Sequence, residues 1–351
     1  MEEFKLLDIC LLLCGCKLFV HNRLTRITNN VHLLIMVATD LICFAHGMIQ
    51  LNPKGDKWFL YHASYIIRYV FGVGFHLIFR RKAADMRSFL TDVMPRISSD
   101  RRRKLKKISL AYGSMILVMT IGCLENFIRG AIQSHMRHNY DHFTLVVIYV
   151  ELYMMIGNWI VTSSFVCTFF ITTMSMYEET LLDQIHSEII SGKDSTGVRA
   201  RVNHARVSKN RVMPLFAIVP CLVVLYLFIA LAGILIKFNV GNYTYYASVE
   251  LMVLLVTLSA LVWMTHVSDI GNESVQQRVQ QIETTIFESP MLGKVATEWD
   301  AVIAAVREMS VIRHESCALF TVNRGFSITF LSSLFTFTAL LVQVFTSISQ
   351  Y

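Results

Sequence analysis

Residues 213–238 read MPLFAIVPCLVVLYLFIALAGILIKF, and Lys237 is the one charged residue among them. An α-helix rises about 1.5 Å per residue, so this run is long enough to cross a hydrocarbon core of about 30 Å. Because lipid offers no hydrogen-bond partners to an open backbone, such a run is predicted to be a transmembrane helix. The sequence has seven strongly apolar runs of this kind: 30–51, 58–79, 108–128, 144–175, 213–238, 248–268 and 326–348.

These runs predict an all-α, polytopic membrane protein with seven transmembrane helices. The composition agrees, since 54% of the 351 residues are apolar and only 16% are charged, whereas about a quarter are charged in soluble domains. The formal net charge is +7, but the basic residues lie between the apolar runs and are expected to determine topology rather than bind nucleic acid. The eight cysteines lie in or near apolar segments, which predicts neither a disulfide framework nor a metal site.

The distribution of basic residues gives the orientation. The segment before the first run and the connections after the second, fourth and sixth runs hold 26 of the 32 Lys and Arg residues. Basic residues are retained on the cytosolic side, so the N-terminus is predicted to be cytosolic and the C-terminus extracellular. This orientation argues against a G-protein-coupled receptor, whose N-terminus is extracellular. The sequence also lacks the Asp-Arg-Tyr triplet of that family after the third run.

The N-terminal segment needs a separate interpretation. Residues 6–20 are apolar enough to resemble a secretory signal, but Glu2, Glu3 and Asp8 surround the start of this stretch and Lys17 interrupts it. A secretory signal has the opposite charge pattern. We therefore predict an interfacial or partly inserted helix that remains part of the mature protein.

The connection before the last run contains apolar residues at helical spacing. They recur every three or four residues between Glu, Gln and Arg: Val275, Val279, Ile282, Ile286, Val302, Ile303, Val306, Met309 and Ile312. The pattern predicts amphipathic helices, which either cover their own subunit or contact partners such as the same region of another subunit. The chain accordingly divides into 1–268 (N-terminal helix and six spans), 269–325 (cytosolic anchor helices) and 326–351 (last span and tail).

The last run has two chemically different faces. On a helix of about 100° per residue, the polar face holds Thr329, Ser332, Thr336, Leu340, Gln343 and Ser347, and the opposite face holds Phe330, Leu334, Phe337, Leu341, Phe345 and Ile348. An uncharged polar stripe suits the wall of a water-filled path, with Leu340 as a hydrophobic constriction. Alternatively, the hydroxyls bond the carbonyl four residues earlier or hold helices together.

The segment Thr336-Phe337-Thr338-Ala339-Leu340-Leu341-Val342-Gln343-Val344 resembles the C-terminal signature of arthropod gustatory receptors. That signature is Thr-Tyr, five mostly apolar residues and Gln-Phe. Thr336 and Gln343 match it, while Phe337 and Val344 replace the usual Tyr and Phe. The predicted topology resembles the same family over the whole chain, because gustatory receptors have seven spans and a cytosolic N-terminus.

The resemblance implies a ligand-gated, non-selective cation channel of four like or related subunits in the plasma membrane of chemosensory neurons. The last helix of each subunit would line a central pore, with Gln343 and Val344 beside the extracellular gate and Leu340 about one turn below. The partners would be a small-molecule tastant and the lipid bilayer. We expect no enzymatic activity, no cofactor and no nucleic-acid partner. The alternatives are a seven-span signalling or scaffold protein without a pore, and a small-solute transporter.

The resemblance also implies a ligand site between the outer halves of spans two to six. The candidates there are Tyr61, His62, Tyr65, Arg68, Glu125, Asn126, Tyr149, Glu151, Tyr153 and Tyr246. Arg68 is expected either to pair with Glu125 or Glu151 or to bind an anionic ligand group, since ionisable residues inside a span tend to be paired or functional. The tyrosines could instead belong to an interfacial belt. Asn242 begins a glycosylation sequon in an outer loop.

Overall fold

The computed structural model describes residues 5–13, 23–50, 56–138, 159–191, 197–239, 245–288, 302–304, 306–307, 315–316 and 320–349. The helices are α1 (Lys5–Leu13), α2 (Arg23–Gln50), α3 (Asp56–Val93), α4 (Ser99–His138), α5 (Trp159–Ile190), α6 (Val198–Asn239), α7 (Tyr245–Glu288) and α8 (Arg324–Ser349). A 3-10 turn, Met94–Arg96, joins α3 to α4, and two-residue strands β1 (Glu315–Ser316) and β2 (Phe320–Thr321) pair antiparallel. The predicted all-α class is confirmed, apart from this one small strand pair.

Six helices within the described residues are long and apolar enough to cross a membrane. They contain the predicted runs except 58–79, which lies in α3, where side chains are described only from Tyr69 onward. The part of the run 144–175 before Trp159 lies outside the described residues. The helix α6 continues through Pro214 and Pro220, as expected for prolines in a transmembrane helix.

The helix α5 lies at the centre of the bundle and packs most extensively against α7. In its most apolar 18-residue stretch, 94% of the residues are buried within this single chain. Hydroxyl side chains of α5 donate to the carbonyls four residues earlier, as in Thr168 to Ser164 and Thr172 to Thr168 (both 2.8 Å). These bonds satisfy polar groups that have no access to water, so α5 serves as the buried core of the subunit.

The outer helices expose apolar side chains instead. Leu34 and Leu41 of α2 and Val118 and Ile121 of α4 are all exposed in the chain. Contiguous apolar exposure on this scale is unusual for a soluble monomer, but lipid is the expected neighbour on a transmembrane helix. These faces therefore agree with a polytopic membrane protein.

Ion pairs cross-link the helices toward the ends that the charge distribution predicts to be cytosolic. Lys209 of α6 lies 2.8 Å from Glu178 of α5, and Arg101 of α4 lies 2.8 Å from Asp183 of α5. Three further pairs complete this inner ion-pair layer: Arg211–Asp92, Arg278–Asp183 and Arg201–Glu188. The layer joins α3, α4, α5, α6 and α7 where the apolar runs give way to charged sequence.

The amphipathic stripe of α7 is covered by the chain itself. Val275, Val279, Ile282 and Ile286 are buried in the common core, and His186 of α5 approaches the Thr285 hydroxyl at 2.9 Å. The buried residues 302, 303 and 306 continue the same core, while 309 and 312 lie outside the described residues. The sequence predicts that this stretch either covers its own subunit or contacts partners. In the described part, its apolar residues pack within the same subunit.

Candidate functional site

The last helix begins at a well-defined cap. The Asn323 side-chain oxygen accepts a hydrogen bond from the Phe326 backbone N–H at 2.7 Å. Asparagine is a preferred N-cap because its oxygen satisfies a donor that has no partner inside the helix. A second such donor, the Arg324 N–H, bonds Asp269 of α7 at 2.7 Å. The start of α8 is therefore held both by its own cap and by α7.

The side chain of Arg324 strengthens this attachment. Its Nε donates to His266 Nδ1 at 3.2 Å, and its guanidinium lies 3.7 Å from Glu273. One turn further along, the Ser327 hydroxyl hydrogen-bonds the Thr265 hydroxyl of α7. Four residues on one side of α7 thus contact the first turn of α8, which makes the junction a fixed point for the rest of the helix.

Above this junction, one face of α8 packs on the subunit. Phe330 and Leu334 are buried. Phe228 of α6 contacts Phe330 and Phe337 edge to face, with ring centroids 5.4 and 5.3 Å apart. Such aromatic pairs stabilise by about 0.5–1.5 kcal/mol beyond their buried area. Phe228 therefore holds α8 against α6 along two turns.

The other face of α8 is exposed in the isolated chain. Thr329, Ser332, Thr336, Leu340 and Gln343 are all exposed, and so is Val344. These are the residues that periodicity assigns to the polar face, except Ser347, whose side chain lies outside the described residues. The helix therefore presents an uncharged polar stripe, with Leu340 as its apolar interruption, away from its own subunit.

The hydroxyls on this stripe also bond within the helix. Thr336 donates to the Ser332 carbonyl at 3.0 Å, and Thr329 donates to the Gly325 carbonyl at 3.0 Å. A hydroxyl has one hydrogen but two acceptor lone pairs, so each exposed oxygen can still accept a hydrogen bond from water or coordinate a cation. Internal bonding and contact with a water-filled path are therefore compatible on this helix.

A second exposed sector lies beside the polar stripe. Ile328, Phe335 and Val342 are exposed and recur every seven residues, so they form an apolar line along one side of a helix. Together with the stripe and the exposed Ser333 and Val344, they give α8 an exposed arc of about 200°, at about 100° per residue. The single chain covers the remainder of the helix.

The ligand-site candidates can be located only in part. Tyr61, His62, Tyr65 and Arg68 lie on α3, Asn126 on α4 and Tyr246 on α7, but their side chains are outside the described set. Tyr149, Glu151, Tyr153 and Asn242 lie outside the described residues altogether. Glu125 is described: it is exposed and pairs with Arg129 one turn further along α4. The arrangement of this region stays a prediction.

One buried ionisable pair was missed by the sequence reasoning. Asp40 of α2 and His76 of α3 are both fully buried, with 3.7 Å between Oδ2 and Nε2. The carboxylate lies over Gly72, where an added Cβ would be 2.8 Å from Oδ2. An aspartate near the middle of the run 30–51 is itself a signal of pairing or function and could have drawn attention to this position.

The described residues contain no cluster of three or more His, Cys, Asp or Glu side chains arranged to hold a metal ion. The five described cysteines (Cys10, Cys43, Cys123, Cys167 and Cys221) are free thiols. Burial raises the pKa of the Cys10 thiol to about 11, so Cys10 is protonated at neutral pH. Cys10 therefore acts as an apolar packing residue.

No protein-family model matches the chain, and no curated protein matches its sequence. Among solved structures, the insect olfactory receptor OR5 from Machilis hrabei is similar, with a TM-score of 0.73 and 11% identity over 98% of both chains. The same receptor in complex with eugenol gives a TM-score of 0.70 and 10% identity, again over 98% of both chains. Sequence identity this low supports a shared fold, but it does not show a shared ligand or ligand specificity. The chain therefore has the multi-pass helical fold of this insect olfactory receptor.

Proposed function

We propose that this chain is one subunit of a ligand-gated, non-selective cation channel, acting as a gustatory chemoreceptor, and that α8 of each subunit lines a central pore. The observation that carries the proposal is the division of α8. Its phenylalanine face packs on the subunit, whereas an uncharged polar stripe faces outward on a helix long enough to span the membrane. A stripe of hydroxyl and amide groups is costly against lipid and suits water.

The stripe would form the wall of the path in an assembly of four subunits. In such an assembly each α8 turns its polar stripe toward a shared axis, where hydroxyl and amide oxygens can replace part of the hydration of a cation. Leu340 and Val344 would supply the apolar constriction that excludes water in the closed state. The fold shared with an insect olfactory receptor supports a chemoreceptor role, and the Thr336 and Gln343 signature supports the gustatory branch.

The tastant is proposed to bind within the subunit, between the outer halves of the helices. Aromatic side chains with a few polar groups suit a small organic ligand, and the candidates named above provide both. The plasma membrane of a chemosensory neuron is the corresponding location. Mutagenesis of Arg68 tests the proposed ligand site separately from the pore. Loss of ligand responses with unchanged basal conductance would support this site.

The pore assignment is tested with two substitutions two residues apart on α8. We expect Gln343→Ala to change basal opening or ion permeability several-fold, since it removes the amide from the exposed stripe. Leu341→Ala is the control, because Leu341 lies on the face turned toward the subunit and should leave permeation nearly unchanged. Both are measured as currents from the full chain expressed in cells, against a panel of tastants.

Two results would contradict the proposal. If the two substitutions change permeation equally, the polar stripe is not the wall of the pore. Absence of current from purified chain reconstituted in planar bilayers, with ligand binding intact, would argue for a receptor or scaffold protein without a pore. If the purified particle does not contain four subunits, the proposed tetramer is wrong. The pore-lining role of α8 then has to be tested separately.

A further inference from the structure

The first nine residues of α4 include six basic residues that the channel proposal does not use. Two of them face inward. Arg101 contacts Glu179, Thr180 and Asp183 of α5, and Arg102 donates to the Ile97 carbonyl at 3.1 Å. Arg101 and Arg102 therefore have partners within the subunit. These partners do not account for the other four basic residues.

The other four, Arg103, Lys104, Lys106 and Lys107, are exposed. None of them has an ion pair with an acidic side chain in the part of the chain that the structure describes. Four like charges within five residues repel one another by several tenths of a kcal/mol per neighbouring pair on a helix. Their grouping with no counter-charge among the described residues suits an external anion.

The same face of α4 becomes apolar immediately above the basic group. At about 100° per residue, Arg103, Lys107, Leu110, Ser114 and Ile121 fall within about 60° of one another, and all five are exposed. Leu110 lies only about 4.5 Å along the helix from Lys107. A basic group that continues directly into an apolar, outward face has the pattern of a phospholipid: a charged headgroup at one level and acyl chains beside it.

The position of α4 in the bundle keeps this face accessible to lipid. Within the described residues α4 packs mainly against α1, α5 and α7, and its buried side includes Leu105, Tyr112 and Ile116. The helix α8, which carries the proposed subunit contacts, packs on α6 and α7 instead. The exposed basic face is therefore on a helix that does not pack mainly on α8 in the described part of the chain.

We propose that Arg103, Lys104, Lys106 and Lys107 form a binding site for anionic phospholipid headgroups, with the acyl chains lying along Leu110, Ser114 and Ile121. The charge distribution predicts that this end of α4 is cytosolic, and the cytosolic leaflet is the one that carries anionic lipids. Lysine and arginine stems can lie on apolar surface while the charge reaches the headgroup level. Phosphatidylserine is a suitable probe, since it has both a phosphate and a carboxylate.

The site is tested on the full chain in phosphatidylcholine vesicles at an ionic strength of about 0.1 M, with spin-labelled phosphatidylserine or phosphatidylcholine as tracer. The fraction of label immobilised by the protein gives the relative association of the two lipids. Each basic residue near an anionic surface is worth about a fivefold change in association. We therefore expect Arg103→Gln with Lys107→Gln to lower phosphatidylserine association by up to about 25-fold, toward the value for phosphatidylcholine.

The matched control removes two positive charges elsewhere. Arg87 and Arg199 are also exposed, but they lie roughly 12 Å and 21 Å along their helices from the ends of the apolar runs, beyond a Debye length of about 10 Å. Arg87→Gln with Arg199→Gln should leave the lipid preference unchanged. The charge-preserving pair Arg103→Lys with Lys107→Arg should retain it, which separates loss of charge from loss of folding.

Several outcomes would overturn the lipid site. Equal losses in the test and control variants would mean that net charge alone sets the preference, and no loss in the test variant would place the contact elsewhere. Displacement of labelled phosphatidylserine by inorganic phosphate at constant ionic strength would indicate a small-anion site instead. Salt-sensitive binding of a polyglutamate peptide, with no lipid preference, would assign the surface to an acidic protein partner.

Discussion

Lys209 and Glu178 form a buried ion pair in which the side chains are only 3% and 8% exposed. Removing one partner of such a pair leaves an uncompensated buried charge, which costs about 3–5 kcal/mol. We therefore expect Lys209→Met to lower the thermal unfolding midpoint of the detergent-purified chain substantially. Glu178→Gln added to Lys209→Met should restore much of the loss, because the remaining group is then neutral.

An exposed pair provides the comparison. Arg129 and Glu125 are 63% and 57% exposed on the surface of α4, and pairs of this kind contribute about 0–1 kcal/mol. Arg129→Met should hardly move the unfolding midpoint. If it lowers the midpoint as much as Lys209→Met does, burial is not the source of the effect.

At the same residue scale, local signals could be read from the sequence and distant partners could not. Asn323, three positions before the start of the last apolar run, is an N-cap signal, and the structure has that cap. The contact of Arg324 with Asp269 joins residues 55 positions apart. No periodicity encodes which of several charged residues on α7 will meet α8, because that choice depends on how the two helices cross.

Among whole helices, α3 offers a direct test of close packing. An added Cβ at Gly72 would lie 2.8 Å from Asp40 Oδ2, whereas nothing lies within 4 Å of an added Cβ at Gly74. Asp40 is fully buried and cannot move away freely. We expect Gly72→Ala to destabilise the chain by about 1–3 kcal/mol, the usual range for overpacking, measured by thermal unfolding.

Gly74→Ala, two residues further along, is the internal control. Alanine has the higher helix propensity by up to about 1 kcal/mol, so this change should be neutral or slightly stabilising. Similar unfolding midpoints for the two variants would mean that α2 can shift relative to α3 without cost. The Asp40–His76 pair would then not define the spacing of these helices.

The elements themselves were predictable because hydropathy is a local property. The apolar runs appear as long helices, and on α8 the exposed and buried faces follow the sequence periodicity from Thr329 to Gln343. The partner of each buried face did not follow from periodicity. Phe228 packs on Phe330 across about a hundred positions in the chain, and a complementary aromatic on α6 cannot be recognised from helix spacing alone.

At the scale of the whole molecule, the chain has two kinds of exposed apolar surface. On α4 the exposed side chains continue along an outward face of the bundle, as expected for contact with lipid. On α8 the line of Ile328, Phe335 and Val342 runs beside a polar stripe, so lipid along this line would lie next to exposed hydroxyl and amide groups. In a ring of subunits, a neighbouring copy can cover the apolar line while water meets the stripe. The arrangement therefore favours assembly around α8.

This difference predicts unequal effects for two substitutions that each replace an exposed apolar side chain by serine. Phe335 and Val118 are 75% and 67% exposed in the single chain. We expect Phe335→Ser to reduce the fraction of assembled particles, measured by mass photometry of detergent-purified protein, because it removes apolar area from the proposed contact between copies of α8. Val118→Ser should leave assembly intact, since its side chain faces lipid or detergent. If Val118→Ser dissociates the particle and Phe335→Ser does not, the subunits meet through α4, and α8 does not surround a common axis.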